Sequence, residues 1–72
     1  GEDFPGFSHE GRMWTFTGRF ATSGEVDLSP IYTGVGGRAV YALSGSAGSH
    51  KALFVQSRTY PGKYAIYRPA AE

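Results

Sequence analysis

Covalent catalysis needs a hydroxyl or thiol held beside a base and presented on a sharp turn. The chain has 72 residues and no cysteine, so no thiol nucleophile and no disulfide is available to it. The nearest approach to a Gly-x-Ser-x-Gly elbow is Gly45-Ser46-Ala47-Gly48. No helix-forming stretch follows it to present the hydroxyl, and such tracts are ordinary flexible loops. Metal chemistry is as poorly provided for. His9 and His50 stand far apart in sequence, and neither has a ligand-spaced partner. Glu25 and Asp27 are two residues apart and share a face if the segment is a strand. An edge kept polar explains them as well as a general acid/base pair does. Gly34-Val35-Gly36-Gly37 has the glycine content of a phosphate loop. A phosphate loop leads into a helix, whereas Arg38-Ala39-Val40-Tyr41 reads as a strand, so the tract is a turn. No catalytic residue, cofactor or metal is expected.

Charge is distributed unevenly beneath a net +1. Residues 1–27 hold five acids (Glu2, Asp3, Glu10, Glu25, Asp27) and two bases (Arg12, Arg19). Residues 28–71 hold five bases (Arg38, Lys51, Arg58, Lys63, Arg68) and no acid. A division of this kind marks either a partner of preferred charge or charges that mix over one folded surface. No apolar run approaches the roughly 18 residues of a membrane span. Gly1-Glu2-Asp3-Phe4 does not resemble a signal peptide. The compartment stays open, since a chain without cysteine suits a reducing cytosol and many exported domains alike.

The elements that must carry these residues are strands. Five Phe, five Tyr and one Trp fit a pleated, half-buried surface, and 11 Gly interrupt any helical period. Arg12 to Phe20 alternates: Trp14, Phe16 and Phe20 point one way, Thr15, Thr17 and Arg19 the other. Val26 to Thr33 is a second strand, marked as an edge by Pro30. The third runs from about Arg38 to Ser44, followed by a Gly45–Ser49 loop. The fourth spans about His50 to Tyr60, and its unbroken Ala52-Leu53-Phe54-Val55 run predicts burial on both faces. Pro61-Gly62 is a turn, and Lys63 to Arg68 is the fifth strand. The expected fold is therefore an all-β, five-stranded antiparallel barrel or sandwich, mainly a meander, in the size class of SH3-like or OB-like barrels. Residues 1–10 read as an N-terminal tail, 11–69 as a single domain and 70–72 as a C-terminal tail or linker start.

The last hairpin directs attention to binding. A two-residue loop at Pro61-Gly62 sets Tyr60 opposite Lys63, Arg58 opposite Ala65 and Gln56 opposite Tyr67. Gln56, Arg58, Tyr60, Lys63 and Tyr67 then share one wet face, while Leu53, Val55, Tyr64 and Ile66 form the core side. Cations neutralise phosphates and rings stack on bases. The leading expectation is a non-enzymatic binding domain of unknown partner, oligomeric because a small core with a broken edge favours burial against another copy. A protein or peptide suits the same face. The alternative is nucleic-acid or polyanion binding through that face. A third is a small enzyme with an intersubunit site built on Glu10, Glu25, Asp27 or a histidine.

Overall fold

Apolar and polar side chains alternating between glycine-marked turns produce antiparallel strands and, among the described residues, no helix. The computed structural model describes residues 3–45 and 50–70. Six strands are present: β1 (Gly6–His9), β2 (Arg12–Thr22), β3 (Leu28–Val35), β4 (Arg38–Leu43), β5 (Leu53–Gln56) and β6 (Lys63–Pro69). They form a single sheet in the order β1-β2-β6-β5-β4-β3, curled into a half-barrel. The all-β class and small antiparallel architecture are as expected, with six strands in place of five. Ser46-Ala47-Gly48, most of the Gly45–Ser49 loop and residues 71–72 of the expected C-terminal tail lie outside the described residues.

Two departures shape the sheet. Residues 6–9, expected within a tail, pair with β2 as an added strand, with Phe7 opposite Trp14 and His9 opposite Arg12. The run is short and glycine-led, so it carries little periodic signal of its own, and its partner supplies the order. The meander is also broken once, because β2 pairs with β6 and not with β3. Only Ser23–Asp27 join β2 to β3, and the link turns at once, with Glu25 N–H donating to the Thr22 carbonyl at 3.0 Å. In a flat sheet these two strands stand about 19 Å apart across three intervening strands. So short and bent a link requires the sheet to curl. The curl brings the two outer strands together, where the rings of His9 on β1 and Tyr32 on β3 stack at 4.3 Å.

The core lies inside the curl. Trp14, Val35, Val40, Ala42, Leu53, Val55, Ala65 and Tyr67 are buried there, with Phe4, Phe7, Phe16, Phe20 and Tyr32 packed around them. Leu53, Phe54 and Val55 are all buried, as their unbroken apolar run predicts. The β5–β6 register differs from the expected one. Gln56 faces Tyr64, and Leu53 faces Tyr67. This is a shift of three positions along β6, and an odd shift exchanges the faces of a strand. Ala65 and Tyr67 therefore point into the core, while Tyr64 and Ile66 point outward. The connection matches this register: Ser57 N–H donates to the Lys63 carbonyl at 2.8 Å, which leaves five residues in the loop instead of two.

Tyr67 has no exposed surface. Its ring meets Phe7 edge-on at 4.9 Å and Phe16 at 5.5 Å, and its hydroxyl donates to the Phe4 carbonyl at 2.7 Å. Burial, aided by the negative charge of Asp3, pushes the phenol up to about 12. A raised acid of this kind stabilises the fold fully below the ordinary value of 10.0 and loses that contribution as pH climbs toward 12. Replacing Tyr67 with Phe is expected to cost about 1–2 kcal/mol at neutral pH through the orphaned carbonyl. Urea unfolding between pH 9 and pH 12, about the range set by the two pKa values, should show a shallower alkaline decline in the variant than in the native chain.

Candidate anion-binding cleft

Antiparallel pairing brings the start of β4, the end of β5, the start of β6 and the end of β2 to one end of the half-barrel. Two local devices arrange the side chains there. The first is a bulge in β2. Phe16 faces Tyr67 and Phe20 faces Ala65, so β2 carries two more residues than β6 over the same span. Gly18, at φ 79°, takes the left-handed conformation that lets the strand swell, a conformation that costs glycine nothing. Thr17 fastens the bulge, its hydroxyl donating to the Ile66 carbonyl at 2.8 Å and accepting from Arg19 N–H at 3.1 Å. Arg19 is thereby carried out to the surface.

The second device is the five-residue loop. Lys63 N–H donates to the Tyr60 carbonyl at 3.3 Å across Pro61-Gly62, and Gly62 has φ 79°, as the proline–glycine pair predicts. Before this turn, the Ser57 hydroxyl accepts from the backbone N–H groups of Thr59 at 3.1 Å and Tyr60 at 2.9 Å. It donates in turn to the Asp3 carboxylate at 3.0 Å, whose other oxygen accepts from Arg58 N–H at 2.7 Å. A residue near the start of the chain thus shapes a loop 55 positions away. Partial burial opposes the Asp3 charge, but hydrogen bonds from Arg58 N–H, Thr59 and Ser57, with the Arg58 charge, hold its carboxyl below the ordinary range.

Two adjoining depressions result. One, of about 310 Å³, is lined by Ser23, Arg38, Gln56, Ser57, Arg58, Pro61, Gly62, Lys63 and Tyr64. The other, wider and shallower, is lined by Gly18, Arg19, Phe20, Tyr60 and Lys63. Lys63 belongs to both, and its ammonium is steadied by the Thr22 hydroxyl at 3.1 Å. Arg38 donates a long hydrogen bond to the Gln56 carbonyl at 3.5 Å, and the Arg58 guanidinium sits 5.1 Å from the Phe4 ring centre. Among the described residues the linings hold four cations (Arg19, Arg38, Arg58, Lys63) and no carboxylate, the Asp3 carboxylate lying behind the narrower one on the Ser57 hydroxyl and Arg58 N–H. Such an arrangement attracts anions and offers them charge-assisted hydrogen bonds.

Of the five residues singled out from the sequence, Gln56, Arg58 and Lys63 share the narrower cleft, and Tyr60 lines the wider one with Lys63. Tyr67 is separated from them in the core, on the inward face that the observed register gives it. Tyr64, expected on the core side, lines the cleft in its stead. Arg19 and Arg38 were not among the expected site residues. Each follows a glycine, and Arg38 opens a strand next to the one that ends at Gln56; drawing that pairing brings it to the site. Glu10, Glu25 and Asp27 line neither cleft. Among the described residues no group of three His, Asp or Glu side chains could hold a metal ion, and no helix is long and apolar enough to cross a membrane.

Comparison with protein-family models, curated proteins and solved structures finds no match to this chain.

The Asp3 pin predicts an acid-sensitive loop. A depressed carboxyl contributes stability above its ordinary value of 3.8 and loses it as pH falls further. Asp3→Asn is expected to lower stability at pH 7 by about 0.5–1.5 kcal/mol, at the lower end because the contact is partly exposed. Thermal melts of the two proteins should draw together only as pH falls well below 3.8, through the depressed value of the native carboxyl.

Proposed function

We propose that this chain is a binding module without catalytic chemistry of its own, and that its ligand is polyanionic. The observation that carries this reading is the convergence of Arg19, Arg38, Arg58 and Lys63 on two adjoining clefts with no carboxylate among the described lining residues. Gathering like charges costs energy in the free protein, and a ligand of opposite charge relieves it. The net +1 hides this, because the acids of residues 1–27 offset it in the sum. Of those among the described residues only Asp3 reaches the clefts, where it holds the Ser57 hydroxyl and Arg58 N–H and leaves Arg19, Arg38 and Lys63 uncompensated in the linings. Polyanion affinity should fall linearly on a log–log plot against salt, since each neutralised phosphate releases counterions. Inorganic polyphosphate titrated at several salt concentrations is the direct test. The variant Arg38→Gln with Lys63→Gln should bind more weakly and lower the salt slope by about one for each cation removed. Equal binding by the variant, or no binding at low salt, removes the reading.

Self-association is a second reading, favoured by apolar side chains left exposed at the β3 end of the sheet. β3 is the last strand of the sheet order, and Ile31 on it and Leu43 on the neighbouring β4 stay 37% and 48% exposed. A symmetric dimer covers both. Sedimentation at high micromolar concentration should show a species of twice the monomer mass, and Leu43→Lys should return it to monomer.

A further inference from the structure

We infer that the polyanion is a single-stranded nucleic acid, read by stacking of a base on Tyr60 while Arg19 and Lys63 hold the flanking phosphates. This inference rests on the anion-binding reading of the clefts and narrows it to one ligand class.

The argument begins with Tyr60. The residue is 51% exposed on a loop, yet its ring is held in place. The Phe20 ring meets it edge-to-face at 5.0 Å and 86°. Phe20 in turn packs on Phe16 at 5.5 Å, and Phe16 on the buried Tyr67. A line of rings therefore runs from the core to an open tyrosine. Such a ring is orientated before the ligand arrives, so little side-chain freedom is lost on binding. A large exposed ring supported in this way is costly for solubility and useful for stacking.

Its neighbours point the same way. Arg19, Lys63 and Tyr60 line one cleft, and the adjoining cleft combines the Tyr64 ring with Arg38, Arg58 and the shared Lys63. Tyr64 is likewise supported by another ring, Tyr41, at 5.3 Å. Each cleft thus sets a supported tyrosine beside cations. An unpaired nucleotide strand has the matching pattern, a flat base and a charged phosphate repeated along the chain. Gln56 adds an amide able to meet a base edge. A duplex hides its base faces in its own stack, and a sulfated polysaccharide has no aromatic faces. Either would use the cations and leave the rings idle.

The test uses the full 72-residue chain at low salt against three probes: an oligothymidylate of about ten nucleotides, a DNA duplex of the same length, and heparin. The oligothymidylate should bind most tightly and move the Tyr60 ring protons upfield in the NMR spectrum. Tyr60→Ala should weaken oligothymidylate binding by about tenfold or more and leave heparin binding unchanged. Tyr60→Phe should restore the affinity, because the face stacks and not the hydroxyl. If duplex and heparin bind as tightly as the oligonucleotide, or Tyr60→Ala has no effect, the stacking inference is overturned while the anion-binding reading stands. If none of the three probes binds, both fall.

Discussion

Burial of Tyr67 is the constraint on which the rest of the structure depends. A phenol is too large to leave a small core half-filled and too polar to be buried without a partner. The chain satisfies both demands at one point, with the ring between Phe7 and Phe16 and the hydroxyl on the Phe4 carbonyl. Phe4 belongs to the segment that leads into β1, so the same bond ties the start of the chain to its last strand. Once Tyr67 points inward, alternation sends Ala65 inward as well and turns Tyr64 and Ile66 outward. The β5–β6 register, the addition of β1 and the composition of the outer face all follow from that one choice.

The basic clefts are a consequence of how the register is accommodated. A tight two-residue turn cannot place Tyr67 opposite Leu53, so the loop lengthens to five residues, and Ser57 and Asp3 supply the hydrogen bonds that the extra backbone needs. The longer loop presents Arg58 and Tyr60 away from the strands. The bulge at Gly18 does the same for Arg19. Rigid strands thus deliver Arg38, Gln56 and Lys63, while two irregular features deliver the remaining cations and the exposed ring. Irregular backbone held on a regular scaffold is where binding groups are commonly carried.

Much of the fold was legible in local patterns. Trp14, Phe16 and Phe20 alternate with polar residues, and all three pack in or against the core. The Leu53–Val55 run announced burial on both faces, and Pro61-Gly62 announced its turn. The candidate site was legible only in part. Gln56, Arg58, Tyr60 and Lys63 are close in sequence and stayed together at the clefts. Tyr67 was misplaced because the loop has five residues and not two, and the bonds that hold it in that form reach from Ser57 to Asp3, 54 residues away. Nothing in the local pattern of Gly6–His9 distinguishes a strand from a tail. Its order comes from pairing with β2.

The sequence by itself determined the class of the fold. Aromatic and β-branched residues at alternate positions, with glycine between them, admit strands and exclude helices whatever their neighbours do. It also determined that positive charge gathers after residue 28. Tertiary structure alone decided which face each side chain joins. A strand has two faces, and choosing between them depends on register, which is set by long-range bonds and by the volume the core must fill. That choice withdrew Tyr67 from the surface, brought Tyr64 out to it, and set Arg19 and Arg38 beside Lys63.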